Sequence, residues 1–328
     1  MEKIKIIDLF CGLGGFHVGM HKAFKNMECV LASDIDSHAR LIYEKNFKGV
    51  TMDSDVTQLD EKEVPEHHIL CAGFPCQPFS TAGHLKGFDD ARGTLFYDIL
   101  RIAKHHKTPV LFLENVANFI KHDKGNTYKT IKRLLEEEGY FVSVKVLNAK
   151  DYGLAQNRQR TIIIASRKKE FDFEKVKGKK NIKKIKDILE EKEREYLKRE
   201  DYTIIPDNLW KTQRSGLIFC GYRNKTIRKT GVRENTEHLS RVHKQPNRIY
   251  HINGTHPTLS ASEVSGRYFV YDGNNVFNLS VRECFRLQGF PESYKRVGIN
   301  SQLYKRIGNS VPVDMIAAVA KEIKKQLF

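Results

Sequence analysis

Short apolar runs punctuate the first half of the chain, and between them apolar residues recur every three or four positions. Ile4 to Phe10, in the order Ile-Lys-Ile-Ile-Asp-Leu-Phe, reads as a buried strand that ends in a glycine-rich turn. Cys29 to Ser33, Ile69 to Ala72, Val110 to Leu113, Phe141 to Leu147 and Thr161 to Ala165 read as further strands. Leu95, Phe96, Ile99, Leu100, Ile102 and Ala103 fall at helical spacing, and a second helix carries Ile131, Leu134 and Leu135 until Gly139 stops it. Strand and helix alternating in this way predict an α/β fold, doubly wound, with a mostly parallel sheet covered by helices on both faces.

The pattern changes near residue 168. Arg167-Lys168-Lys169 and Lys177 to Lys186 are strongly basic, and Leu189 to Arg199 alternates charges as a solvated scaffold or linker helix would. Arg282 to Gly289 reads as a helix at the hinge back to the first domain. Pro312 then opens a C-terminal helix with Ile316, Val319, Ala320 and Ile323 on one face.

Composition sharpens this in two ways. The 56 Lys and Arg exceed the 40 Asp and Glu and leave a formal charge of +16, which favours a polyanionic partner because phosphate contacts release counterions. The 6 cysteines are scattered with no C-x-x-C pair, so neither a zinc site nor a disulfide framework is expected, and no metal. No apolar run approaches the roughly 18 residues that cross a bilayer. Met1 to Lys5 runs straight into a strand without a signal-peptide core, so a reducing cytoplasm is the expected location.

Candidate chemistry gathers at the ends of the expected strands, where open α/β sheets bind ligands. Phe10-Cys11-Gly12-Leu13-Gly14-Gly15 would let the backbone approach a ligand closely. His17 stands where a G-x-G-x-x-G fingerprint needs its third glycine, which favours a phosphate-free nucleotide over a dinucleotide. Asp34 follows the second strand, where an acid commonly takes ribose hydroxyls, and Asp55 is placed to accept from an adenine amino group. Either carboxylate could equally be a loop acid or a helix cap. Gly73-Phe74-Pro75-Cys76-Gln77-Pro78-Phe79-Ser80 holds one cysteine in a loop stiffened by two prolines. A thiolate there is a strong nucleophile if cations or a base help it form. Gln156-Asn157-Arg158-Gln159-Arg160 could supply the positive field and Glu114 a proton; both arginines could also be surface charges. Cys11, Cys29, Cys71 and Cys284 read as small apolar fillers.

These blocks, in this order, resemble the DNA (cytosine-5)-methyltransferases of bacterial restriction–modification systems. The resemblance rests on F-C-G-L-G-G at Phe10–Gly15, G-F-P-C-Q-P-F-S at Gly73–Ser80, E-N-V at Glu114–Val116 and Q-N-R-Q-R at Gln156–Arg160, then R-E-C-F-R-L-Q-G-F-P at Arg282–Pro291 and G-N-S-V at Gly308–Val311. It covers the chain except roughly residues 170 to 250. It implies a class I S-adenosylmethionine-dependent methyltransferase, Rossmann-like, with a smaller target-recognition domain. The implied organisation is 1–170 catalytic and donor-binding, 171–279 target-recognition, and 280–328 a hinge and return completing the catalytic domain.

Carried over residue by residue, the resemblance makes Cys76 the nucleophile on cytosine C6. Glu114 would contact N3 and the 4-amino group, Arg160 the O2, and Arg158 would help hold the acid and the loop. S-adenosylmethionine would lie against Phe10, Gly12, Leu13, Gly14, Gly15, Asp34, Ile35, Asp55, Val56, Pro75, Asn309 and Ser310. Ile35 departs from the aromatic residue usual beside that acid, so adenine packing would be aliphatic there. A serine N-cap is a competing role for Ser310.

The partner implied is double-stranded DNA with its cytosine flipped out. A cognate endonuclease in the same system is allowed but not physically required; no membrane is involved, and the chain would be a monomer. Gln77 to Gly93, with Gly83, Gly87 and Gly93, suits a loop that closes over DNA. Ser80, Lys86, Arg92, Arg223, Arg228, Arg233, Arg241, Gln245, Arg248 and Thr258 are the candidate DNA contacts, most of them to phosphate and a minority to bases. Two rival functions fit parts of the pattern: methylation of cytosine in transfer RNA, and DNA binding without catalysis. Phe74 and the basic segment favour DNA over the first, and retention of Cys76, Glu114, Arg158 and Arg160 together argues against the second. A nicotinamide-dependent oxidoreductase lacks its pyrophosphate fingerprint.

Overall fold

A computed structural model of the chain describes residues 3–75, 94–225 and 235–328, which form two compact units. The first comprises Met1–Asn148, Gln159–Gly178 and Ser310–Phe328, and the second Ala149–Arg158 with Lys179–Asn309. The divisions therefore fall at other places than the expected 170/171 and 279/280, and only the last part of the 280–328 segment joins the first unit.

In chain order the elements are β1 (Ile4–Leu9), α1 (Gly15–Ala23), β2 (Met27–Ser33), α2 (Ser37–Asn46), β3 (Thr51–Asp53) and β4 (Ile69–Gly73). They continue with α3 (Leu95–His105), β5 (Val110–Val116), α4 (Asn126–Glu137), β6 (Phe141–Asn148), the two-residue β7 (Gln156–Asn157) and β8 (Gln159–Ser166). Seven of these strands make the first unit's sheet in the order β3-β2-β1-β4-β5-β8-β6. β1 to β5 pair in parallel, whereas β8 runs antiparallel to both β5 and β6.

Strand composition explains the layers. Ile6, Ile7 and Leu9 of β1, Ile69 to Ala72 of β4 and Val110 to Leu113 of β5 are all buried, as continuous apolar runs must be when helices cover both faces. α3 turns Phe96, Ile99, Leu100 and Ala103 into that core, and α4 turns in Ile131, Leu134 and Leu135. Asp36 caps α2 by accepting from the His38 and Ala39 amides. Strand order reverses between β1 and β4, and such a switch point opens a crevice at the carboxyl ends of the strands. The C-terminal helix, Val313–Leu327, packs on α1 so closely that a Cβ on Gly19 would stand 2.6 Å from Ile316 Cγ2.

The second unit holds a five-stranded mixed sheet built from β9 (Tyr202–Ile204), β10 (Phe219–Arg223), β11 (Arg248–His251), β13 (Phe269–Tyr271) and β14 (Val276–Asn278). Tyr202, Cys220, Ile249, Phe269 and Val276 form its small core. β12 (His256–Pro257) pairs in parallel with β7. Two helices follow, α5 (Val281–Leu287) and α6 (Asn300–Asn309).

The charged stretch Leu189–Arg199 does not form the expected helix. Arg194 and Glu190 reach distant partners instead. Arg194 Nη2 lies 2.6 Å from the buried Glu283, and Glu190 accepts from Ser280 Oγ at 2.6 Å. Ser280 and Glu283 also form the capping box of α5, so this segment is tied to the helix start in extended form. No helix among the described residues is long and apolar enough to cross a membrane.

Candidate functional site

The turn after β1 holds its backbone in an unusual conformation. Phe10, Gly12 and Gly14 all adopt positive φ, at 55°, 52° and 71°, and the left-handed conformation at Phe10 is costly for a side-chain-bearing residue. Asp34 pins the turn from the end of β2. Its carboxylate accepts from the Gly12 amide at 2.7 Å and from the Asp36 amide at 2.8 Å. Burial raises its pKa, opposed by those two amide hydrogen bonds. Arg40 donates to the backbone carbonyls of Asp34 and Ile35, which holds the loop with the Ile35 side chain 79% exposed. Phe10 is half-buried and Leu13 is buried in the core.

Beneath the turn lies Asp8, fully buried in β1, and among the described residues neither of its carboxylate oxygens has a hydrogen-bond partner at bonding distance. Burial first, and the Asp34 charge second, drives its carboxyl well above the usual range, against a smaller lowering influence of the His17 amide. The sequence did carry the signal, an acid in the middle of an apolar strand, but no role attached to it. Behind the turn His17 donates to or accepts from Tyr43 at 2.8 Å and stacks on Phe47 at 4.0 Å.

The chain's far end returns to this turn. A Cβ on Gly15 would stand 2.7 Å from Val311 Cγ2 and 2.9 Å from Ser310 Oγ. A Cβ on Gly73, at the end of β4, would lie 3.5 Å from Glu114 Oε2 and 3.8 Å from Val311 Cγ1. Glu114, nearly buried at the end of β5, forms an ion pair of 2.7 Å with Arg160 Nε at the start of β8. Asn115 donates to the carbonyl of Phe74 at 2.9 Å and so ties the segment before Pro75 to β5. The glycine turn, Asp34, Gly73, Glu114, Arg160 and Ser310 therefore share one edge of the parallel sheet.

Asp55 follows β3, and its carboxylate accepts from the amide and hydroxyl of Thr57, which is the local capping role. Val56 points into the core, and its carbonyl accepts from Arg101 at 2.6 Å. Cys76, Ser80, Lys86, Arg92, Arg228 and Arg233, with the whole expected loop Gln77 to Gly93, lie outside the described residues.

In the second unit Arg158 is fully buried, and it donates to the carbonyls of Leu259 at 3.0 Å and Gly308 at 2.8 Å. Of the two arginines in its block, Arg160 is the one the described contacts bring to Glu114. Gln245 donates to the Thr258 carbonyl at 3.1 Å, and Thr258 Oγ1 donates to the Asn157 carbonyl at 2.9 Å. Gln245 and Arg248 line a cavity of about 150 Å³ together with Tyr250, Ser260, Ser262, Glu263 and Arg267. Ser262 and Glu263 had no assigned role in the sequence, because nothing in their spacing marks a shared cavity. Arg223 lies over the Phe269 ring and donates to the Asp201 carbonyl, while Arg241 is exposed on the turn Ser240–Val242. Asn309, the last residue of α6, is exposed.

Comparison with known proteins is consistent with this arrangement. The model of the C-5 cytosine-specific DNA methylases matches residues 4–325. The chain is 38% identical to the Type II methyltransferase M.HhaI of Haemophilus parahaemolyticus, over 99% of this chain and 95% of that protein. It is 36% identical to the Type II methyltransferase M.NlaX of Neisseria lactamica, over 98% and 97% respectively. Among solved structures, the Dnmt2 methyltransferase of S. pombe superposes with a TM-score of 0.71 at 20% identity, covering 99% of this chain and 100% of that one. A putative DNA modification methyltransferase encoded within an E. coli prophage gives 0.69 at 20% identity over 99% of both chains. The fold is that of the class I methyltransferases, as the strand order requires.

Proposed function

The chain belongs to the C-5 cytosine-specific DNA methylase family, and from that premise we propose that it methylates C5 of a flipped cytosine in a specific duplex DNA sequence. It would act as the methylase of a restriction–modification system, with S-adenosylmethionine as donor and Cys76 as nucleophile. The first unit would bind donor and target base, and the second would recognise DNA. The observation that supports this best is the shared sheet edge, where the glycine turn, Asp34, Gly73, Glu114, Arg160 and Ser310 gather.

The residues fit a nucleoside sulfonium. Among the described residues, its chain neighbours aside, no atom lies within 4 Å of where a Cβ on Gly12 would stand, so these residues leave room for a ligand against the turn's backbone. Asp34 offers carboxylate lone pairs beside that space, and Ile35 offers an exposed apolar surface to a purine. Buried Asp8 has unspent acceptors beneath. When bound, S-adenosylmethionine supplies an electrophilic methyl group.

Cytosine C5 is a poor nucleophile until the ring is activated. The Cys76 thiolate adds to C6, and the electron pair moves toward C5. Glu114 holds N3 and the 4-amino group and supports the charge this addition creates. Arg160, 2.7 Å from Glu114, both orients that acid and presents its remaining donors to the cytosine O2. After C5 has accepted the methyl group, the C5 proton leaves to a base, the C6–sulfur bond breaks, and the thiolate is restored.

Duplex DNA carrying 5-fluorocytosine at the target tests this, because fluorine cannot leave as the C5 proton does. Incubation with S-adenosylmethionine should leave a covalent adduct whose mass maps to Cys76. An adduct that still forms with Cys76→Ala would refute the assignment, and methyl incorporation into transfer RNA rather than duplex DNA would replace the substrate.

A further inference from the structure

We infer that Arg158 is a positioning residue that locks the segment Thr258–Ser260, which carries the candidate DNA contact Thr258, and the Gly308 end of α6 into one register. The inference deepens the functional reading above and rests on it for the roles of those two segments.

Arg158 ranks first among the largest fully buried side chains, and its guanidinium donates to two main-chain carbonyls. Nη1 donates to Leu259 and Nη2 to Gly308, so one planar group spans two segments far apart in sequence. The fork of a guanidinium suits this, since a lysine ammonium is a point donor. Backbone packing reinforces the contact. A Cβ on Gly308 would stand 2.5 Å from the Ser260 carbonyl carbon, so the two backbones already touch. Gln156, also fully buried, accepts from the Leu259 amide at 3.1 Å and donates to the Leu287 carbonyl at 3.2 Å.

The location gives the lock its consequence. The chain passes between its units after Asn148, Arg158, Gly178 and Asn309. Inside the second unit these crossings are bonded to one another. The Ala149 amide donates to the Arg158 carbonyl at 2.9 Å, the Lys179 amide to the Asp151 carbonyl at 2.8 Å, and the Arg158 side chain to Gly308. Arg158 also lies two residues before Arg160. Through its guanidinium Arg158 ties Leu259 to Gly308, and the chain continues from Gly308 to Asn309 and Ser310.

The test uses the full-length protein with Arg158→Met, which keeps length and loses both donors, and Arg158→Lys, which keeps one. Phe285→Leu serves as a control that disturbs the packing of Phe285 on Phe290 and Tyr294 and removes neither hydrogen bond of Arg158. Hydrogen exchange should speed up at Leu259 and at Gly308–Ser310 together in Arg158→Met, by roughly tenfold or more, because two charge-assisted bonds are lost. Dissociation constants for S-adenosylmethionine and for duplex DNA should both rise about tenfold in Arg158→Met, with partial recovery in Arg158→Lys. Phe285→Leu should lower the melting temperature while leaving both constants within about twofold. A folded Arg158→Met protein in which only one segment exchanges faster, or in which either constant stays put, would overturn the inference. If Arg158→Met does not fold, the same two readouts on Arg158→Lys decide it. Wild-type protein that transfers no methyl group to DNA would sink the functional reading, and the exchange pattern would still decide the lock by itself.

Discussion

Gly15→Ala is the sharpest test of the proposed donor site, because one added carbon lands where the two ends of the first unit meet. The new Cβ would stand 2.7 Å from Val311 Cγ2, 2.9 Å from Ser310 Oγ and 3.1 Å from the Val311 carbonyl oxygen. Ordinary carbon contacts are about 3.5–4.0 Å, so the Val311 methyl must retreat by about 1 Å. A β-branched valine has little χ1 freedom, and Pro312 stiffens the backbone that follows it. Relief must therefore come from moving Ser310 or the glycine turn. Overpacking of this kind costs roughly 1–3 kcal/mol, offset by about 0.5–1 kcal/mol because alanine is the better helix former. A net loss of about 1–2 kcal/mol is expected in urea unfolding. Because Ser310 and the turn are both assigned to S-adenosylmethionine, calorimetry should show donor affinity falling about tenfold, the equivalent of ~1.4 kcal/mol. Gly12→Ala is the comparison, since no described residue crowds its Cβ and its φ of 52° opposes the change. Wild-type stability and donor affinity in Gly15→Ala would refute the close approach and the site built on it.

Two other outcomes follow from the same geometry. Asp34→Ala removes the acceptor of the Gly12 and Asp36 amides. It should weaken S-adenosylmethionine binding by about tenfold or more while leaving DNA affinity within a few-fold, both read by calorimetry; unchanged donor binding would take Asp34 out of the site. His67 and His256 are held neutral by burial, each with its pKa lowered to about 4. The unfolded chain protonates near 6.5, so between the two values it binds more protons than the folded state does. Stability is complete above about pH 6.5 and is lost as pH falls toward 4, with about 2 kcal/mol per histidine gone by pH 5. His256→Gln should flatten the melting-temperature profile over that range, and an unchanged slope would count against a neutral buried imidazole.

Local pattern determined a good deal of this protein. Continuous apolar runs can satisfy their side chains only inside a two-sided sheet, so Ile4–Phe10, Ile69–Ala72 and Val110–Leu113 announce parallel strands, and the helices carrying Ile99 and Ile131 follow from a 3.6-residue period. The turn at Gly12 to Gly15 and the acids after the strands were legible for the same reason, since a sheet's ligand edge is defined by where its strands stop. Tertiary structure alone decided partners. Nothing local says that Ser310 and Val311 come to lie on Gly15, that Glu114 takes Arg160 while Arg158 turns to the Leu259 and Gly308 carbonyls, or that Gln245 and Arg248 share a cavity with Glu263. Leu189–Arg199 shows the cause most plainly. Its alternating charges fit a helix as well as an extended segment, and the buried carboxylate of Glu283 chose the second by needing Arg194. Periodicity reads a few residues at a time, whereas burying a charge or closing a core selects its partner from the whole chain.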